Sequence, residues 1–264
     1  MSDALTRERS AAVDAARAAG ERVRYWYERT YTVAEKGPDN PLTQADLEAN
    51  AAIQDIISRT FPDDGWLSEE TRDSPERLAK RRVWIIDPLD GTKEFINRIP
   101  EFCICIGLVE DGVPILGVGY NPAREELFVG SVGSGLTLNG APAGVGNQSD
   151  LGSARILASR SETARGEWHA YEHELRIELT GSVGYKLALI AAGHADATFS
   201  LTPKNEWDIC AGTALITCGG GIVTDRFGAP LRFNRPDTRL PGIIAANPAL
   251  HTRIVELLQR HGEL

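Results

Sequence analysis

Trp84-Ile85-Ile86-Asp87-Pro88-Leu89-Asp90-Gly91-Thr92-Lys93-Glu94-Phe95 is the stretch on which the reading of this chain turns. The apolar run Val83–Ile86 suits a strand buried on both faces, ending abruptly at Asp87-Pro88. Two carboxylates, Asp87 and Asp90, emerge where that strand ends; Pro88 stiffens the turn and Gly91 permits close backbone approach. Carboxylates held together repel one another unless a cation sits between them, and hard oxygen donors suit Mg²⁺. Backbone amides around Gly91-Thr92 would cradle a phosphate if a helix begins there. Taken alone, the same residues also read as a strand followed by an Asx-rich turn.

Upstream, residues 3–35 are expected to be helical, with Leu5, Val13, Ala16, Val23 and Tyr27 at helical intervals. Lys36-Gly37-Pro38-Asp39-Asn40-Pro41 breaks that pattern. A second helix is expected from Thr43 to about Arg59, with Leu47, Ala51 and Ile57 on one face. Downstream, Phe102–Leu138 reads as three β-rich segments of an antiparallel meander. Beyond residue 140 strands (155–158, 197–201, 221–224, 243–246) alternate with helices (185–192, 208–217, 249–260). The chain is therefore mixed α/β, and residues 139–150 are the best junction. The expected halves are 1–140, helices over an antiparallel sheet, and 141–264, an α/β half.

The bulk composition fits a packed soluble protein: 264 residues, 42% hydrophobic and 25% charged. A net charge of −9 argues against nucleic-acid or membrane-surface binding, which draws on clustered Lys and Arg. It leaves open phosphate binding through divalent metals. Cys103, Cys105, Cys210 and Cys218 form no CxxC pair or Cys/His cluster, so they read as reduced, buried thiols rather than a zinc site. Cys103 and Cys105 would share one face of a strand. The charged start MSDALTRERS and the lack of a long apolar run point to a cytoplasmic protein.

Three further acidic segments carry plain readings of their own. Glu69-Glu70 reads as a solvated turn, and Asp208 in Trp207-Asp208 as the N-cap of an apolar helix. Thr43-Gln44-Ala45-Asp46 reads as a capping box with Asp in the usual Glu position.

Together, however, Asp87-Pro88-Leu89-Asp90-Gly91-Thr92, a preceding Glu-Glu pair and a distant Trp-Asp-x-x-Ala-Gly resemble the lithium-sensitive, inositol-monophosphatase-like phosphatases. The order and rough spacing match over almost the whole chain, including Thr-x-x-Asp near 46 and Leu138-Asn139-Gly140. The resemblance implies a five-layer αβαβα sandwich and a cofactor of two or three Mg²⁺ per site. It implies metal ligation by Glu69, Asp87, Asp90 and Asp208, with the Leu89 carbonyl as a further ligand. Asp46 and Thr92 match a pair that orients and helps deprotonate the attacking water, with Glu69 also counted as catalytic. Gly91 and Thr92 would hold the phosphate through backbone amides. The implied reaction is in-line attack of metal-activated water on phosphorus, with Li⁺ inhibition expected. Partners would be small phosphorylated substrates, and the enzyme a monomer or homodimer.

Lys93-Glu94-Phe95 after the Asp-Gly-Thr looks like the 3′(2′),5′-bisphosphate nucleotidase branch, which acts on 3′-phosphoadenosine 5′-phosphate, a by-product of sulfate assimilation. Ser159-Arg160-Ser161 and Gly181-Ser182-Val183-Gly184-Tyr185-Lys186 resemble that branch's substrate segments, which implies substrate contacts at Ser159, Ser182 and Lys186. Lys186 also makes physical sense as a point charge for a second phosphate. Two departures stand against this: Val183 replaces a serine, and Glu162 stands where a histidine is usual. An inositol or other sugar monophosphatase would share every metal ligand. A haloacid-dehalogenase-type mechanism fails because Pro88 occupies the position of its nucleophilic aspartate, and a histidine-phosphatase mechanism has an Arg-His-Gly only in Arg260-His261-Gly262 at the C-terminal end, where no active site is expected. A non-catalytic nucleotide-binding regulator is the remaining alternative.

Overall fold

The computed structural model describes residues 5–37 and 40–263; Pro38 and Asp39 of the breaker stretch lie outside the described residues. In chain order the first half holds α1 (Thr6–Tyr27), β1 (Val33–Gly37), β2 (Asn40–Thr43), α2 (Gln44–Thr60), β3 (Gly65–Ser68), β4 (Arg82–Asp90) and α3 (Thr92–Ile96). The meander follows: β5 (Cys103–Glu110), β6 (Val113–Asn121), β7 (Glu126–Ser131), β8 (Gly135–Leu138) and β9 (Ala141–Ala143). Next come β10 (Arg155–Ala158), α4 (Arg160–Ala164), β11 (Arg176–Leu179), α5 (Val183–Ala191), β12 (Ala197–Ser200), β13 (Lys204–Asn205) and α6 (Glu206–Cys218). The chain ends on β14 (Ile222–Thr224), β15 (Arg239–Leu240), β16 (Ile243–Ala246) and α7 (Pro248–Arg260).

Five layers result. Helices α1 and α2 cover one face of a seven-stranded sheet ordered β3-β4-β5-β6-β7-β8-β9. Helices α5 and α6 fill the space between that sheet and a five-stranded one ordered β11-β10-β12-β16-β14, and α7 closes its far side. Side-chain alternation makes this possible. On β5, Cys103 and Cys105 point to the α5/α6 core, while Ile104, Ile106 and Leu108 point to the α1/α2 core. On β4, Val83 and Ile85 face one core and Trp84 and Ile86 the other, so the run is buried on both faces as its sequence demands. Close packing of α6 on the meander requires Gly117, where an added Cβ would lie 2.3 Å from the Ala211 carbonyl oxygen.

Several expectations change in detail. The first helix stops at Tyr27, because the β-branched and aromatic run Thr30-Tyr31-Thr32-Val33 leads instead into β1, which pairs antiparallel with β2. On α2 the buried stripe is Ala45, Ala49, Ile53 and Ile57, an unbroken four-residue spacing, and Leu47 and Ala51 face solvent. The 102–138 region makes four strands rather than three. Strand β4 does not end at Asp87: it runs on through a bulge to Asp90.

Candidate active site

The bulge in β4 is what aims the two aspartates. Asp87 pairs with Cys105 and Asp90 with Cys103, so three steps on β4 match two on β5. Three steps along a regular strand would put the two carboxylates on opposite faces. Because Cys103 and Cys105 share a face, the extra residue returns Asp90 to the same face as Asp87. Asp87 Oδ1 then accepts from the Leu89 amide at 3.0 Å, fixing the turn. Gly91 follows at φ +96°, a conformation that favours glycine, and α3 starts directly after it.

A cavity of about 260 Å³ gathers most of the motif residues from five separate segments. Glu69, Asp87, Leu89, Asp90 and Asp208 line it, with Gly91 and Thr92 beside them. Ser159, Ser182 and Lys186 line it as well, together with Ser161, Glu162, Arg165 and Lys204. Asp46 lies behind Thr92, whose Oγ1 donates to Asp46 Oδ1 at 2.9 Å and lies 3.1 Å from the Leu89 carbonyl oxygen. A larger hollow, about 690 Å³, lies between α1 and strands β6–β8 and contains none of the motif carboxylates.

Asp46 is also the capping box that its sequence suggests: its Oδ2 accepts from the Thr43 amide at 2.8 Å and the Thr43 hydroxyl at 2.6 Å. Asp208 departs from its plain reading as an N-cap. Asn205 caps α6, and Asp208 sits three residues in, its Oδ2 accepting from the Asn205 amide at 2.8 Å. Ser182 adopts a left-handed φ of 57° at the start of α5, a strained position for a side-chain-bearing residue. Its hydroxyl donates to Asp90 Oδ2 and accepts from the Tyr185 amide, while the Gly184 amide donates to the same Asp90 oxygen at 2.5 Å. Ser159 caps α4 and lies 3.2 Å from the Ser161 hydroxyl.

The carboxylates feel one another. Burial, then the charges of Glu69, Asp90 and Asp208, push Asp87 well above the usual carboxylate range. Burial pushes Asp90 up to about 6 against its hydrogen bonds from Ser182 and Gly184. Burial and the neighbouring Asp90 and Glu69 raise Asp208 to about 8. Such a set is under electrostatic stress that a divalent cation relieves, and its donors are all oxygen, as Mg²⁺ requires. Each carboxylate already has another partner, and among the described residues no three acidic, His or Cys side chains converge as a finished cage. Lys36, reaching over from β1, donates to Glu69 at 2.6 Å and Glu70 at 2.5 Å. The donor chemistry therefore fits the ion, with Lys36 standing as the present counter-charge.

Residue-by-residue reading missed Lys36, Arg165 and Lys204. Lys204 had a signal: it is a cation just ahead of Trp207-Asp208, and Glu162 is an acid where the resemblance called for histidine. Their ammonium and carboxylate meet at 2.6 Å.

The layered fold and its cavity of buried carboxylates define a phosphatase-type α/β architecture also found in solved structures. An inositol monophosphatase from Anabaena (Nostoc) sp. PCC 7120 superimposes with a TM-score of 0.81 at 29% identity, covering 98% of this chain and 97% of that one. The chain belongs to the inositol monophosphatase family, whose model matches residues 5–263. It is 30% identical over 259 residues to inositol monophosphatase 1 of Solanum lycopersicum, covering 94% of this chain and 93% of the relative. It is 36% identical over 236 residues to the 3′(2′),5′-bisphosphate nucleotidase CysQ of Escherichia coli K12, covering 86% and 94%. Among the described residues no helix is long and apolar enough to cross a membrane.

Proposed function

We propose that this phosphatase is a Mg²⁺-dependent, Li⁺-sensitive 3′(2′),5′-bisphosphate nucleotidase, hydrolysing 3′-phosphoadenosine 5′-phosphate to AMP and phosphate. The observation that carries the reading is Lys186. Its residue is 4% exposed, its side chain lines the cavity, and among the described residues its ammonium makes no hydrogen bond or ion pair within 4.0 Å. Burial drives its pKa down, because a buried ammonium without a partner is costly. A second phosphate, away from the scissile one, supplies that partner; an inositol monophosphate has none to offer.

Glu69, Asp87, Asp90, Asp208 and the Leu89 carbonyl would hold the metal. Bound there, Mg²⁺ supplies a lowered water pKa and charge neutralisation on the phosphoryl oxygens. The Thr92–Asp46 pair handles the proton. Thr92 Oγ1 accepts a proton from the attacking water as its own proton passes to Asp46 Oδ1. Burial raises Asp46 above an ordinary aspartate, against the hydrogen bonds from Thr43 and Thr92, making it the stronger base. The new P–O bond forms as the ester P–O bond breaks, the departing ribose oxygen takes a proton from solvent water, and no covalent phospho-enzyme forms. Gly91 and Thr92 at the start of α3 orient the scissile phosphate, and Lys186 with Ser159 holds the other end of the substrate.

The test is Lys186→Met. The reading expects kcat/KM for 3′-phosphoadenosine 5′-phosphate to fall about 10- to 100-fold, the loss of one charge-assisted hydrogen bond, with inositol 1-phosphate turnover unchanged. Equal loss on both substrates would contradict it.

A further inference from the structure

Between residues 159 and 204 the cavity is lined by Lys186, Lys204 and Arg165 and by one acid, Glu162. Glu162 is buried, 4% exposed, and its Oε1 accepts from Lys204 Nζ at 2.6 Å, Ser200 Oγ at 2.6 Å and Thr202 Oγ1 at 3.1 Å. Trp168 Nε1 closes the other side, 3.4 Å from Oε2. Lys204 also donates to Thr202 Oγ1 at 3.0 Å. Glu162 is the strongest source of favourable charge to Lys186, yet Lys204 has taken it. The other acids facing Lys186 are committed elsewhere. Asp90 accepts from Ser182 and Gly184, and Glu94 faces Arg160 at 4.0 Å.

We infer that Lys204, by occupying Glu162, keeps the Lys186 ammonium unpaired and available to an anionic group of the substrate, so that the Glu162–Lys204 pair sets specificity through Lys186. This rests on the reading of Lys186 as the contact for a second phosphate. One carboxylate stands between a buried and a half-buried ammonium group, so one of them goes unpaired, and the one pinned additionally by Thr202 holds the carboxylate. Lys204 is thus a positioning residue: its charge acts by denying Glu162 to Lys186. Removing it alone should let Lys186 collapse onto Glu162 and close the anion subsite. Removing both Lys204 and Glu162 charges should free Lys186 again.

The experiment measures KM and kcat for 3′-phosphoadenosine 5′-phosphate and inositol 1-phosphate in Lys204→Met, Glu162→Gln and the double variant, with Lys204→Gln as a second version in case Met disturbs folding. Lys204→Met should raise KM for the bisphosphate about tenfold more than it raises KM for inositol 1-phosphate, the cost of one charge-assisted contact. The double variant should bring the bisphosphate KM back to near wild type, a recovery that a purely structural role for Lys204 does not produce. An unchanged KM in both single lysine variants, or no recovery in the double, overturns the inference. If wild-type enzyme shows no preference for the bisphosphate, the substrate reading fails by itself, and the pairing is decided by the crystal structure of Lys204→Met. Lys186 Nζ within 4 Å of Glu162 supports the inference there, and Lys186 still unpaired refutes it.

Discussion

Asp46 and Thr92 are joined by a 2.9 Å hydrogen bond from the threonine hydroxyl to Asp46 Oδ1, while the other oxygen of the same carboxylate closes the capping box of α2. One side chain thereby anchors a helix end and, in the proposed mechanism, receives the proton, so the two roles are separable only by choosing the right partner to remove. Thr92→Ala breaks the proton path without uncapping α2. It should lower kcat by about 10²–10⁴, the usual worth of a positioned acid–base group, with Tm almost unchanged. Asp46→Ala should lose the same activity and also destabilise by about 1 kcal/mol through the lost cap. Thermal melts beside steady-state kinetics check both, and a Thr92→Ala enzyme within a few-fold of wild type would remove the pair from the mechanism.

Asp90→Asn and Asp208→Asn should each abolish Mg²⁺-dependent turnover while keeping the fold. Asp208 is buried among Asp90 and Glu69, so its neutral amide relieves like-charge repulsion in metal-free protein. The Tm of Asp208→Asn in EDTA at pH 8 should therefore exceed that of wild type. A lower Tm there would mean that the carboxylates are not stressed as described.

The same repulsion fixes a pH dependence. In the unfolded chain these aspartates titrate near 3.8; in the folded, metal-free protein burial first, then neighbouring acids, raises Asp90 to about 6 and Asp208 to about 8. Between those limits the folded state retains protons that the unfolded state has released, so stability falls as pH rises from about 4 to about 8. Mg²⁺ favours the ionised carboxylates and should flatten or reverse the slope. Tm measured in EDTA and in Mg²⁺ across that range checks the sign, and a metal-free Tm rising from pH 5 to 8 would contradict it.

Packing offers a test independent of the chemistry. Gly117→Ala drives a methyl to within 2.3 Å of the Ala211 carbonyl oxygen, so α6, which carries Asp208, must shift. The expected cost is about 1–3 kcal/mol, as for other overpacked cores, seen as a lower denaturation midpoint. A variant as stable as wild type would show that α6 is less tightly seated than the structure has it.

Much of the architecture was legible because it is periodic. Val83–Ile86 reads as a strand buried on both faces, and the small and apolar residues after Trp207 read as a buried helix; the structure has both. The capping box at Thr43 was visible in four residues. What stayed hidden depends on distant partners. The bulge that realigns Asp87 and Asp90 exists because β5 pairs beside it, and nothing in Asp87-Pro88-Leu89-Asp90 alone distinguishes a bulge from a strand end. Lys36 finds Glu69 across 33 residues, and Lys204 finds Glu162 across 42. The two-residue strand β13 that carries Lys204 is too short to show any periodicity. Leu47 misled because it is the largest apolar residue near the start of α2, whereas the buried stripe there begins with the smaller Ala45 and Ala49.

The central claim is that a Mg²⁺-dependent site with an unpaired Lys186 selects a substrate bearing two phosphates. The direct measurement is phosphate release from 3′-phosphoadenosine 5′-phosphate and myo-inositol 1-phosphate side by side, in Mg²⁺, in Mg²⁺ with Li⁺, and in EDTA. The account predicts a large preference for the nucleotide, inhibited by Li⁺ and lost in EDTA. A preference for inositol 1-phosphate would contradict it, leaving the carboxylate site in place and assigning Lys186 a role other than holding a second phosphate.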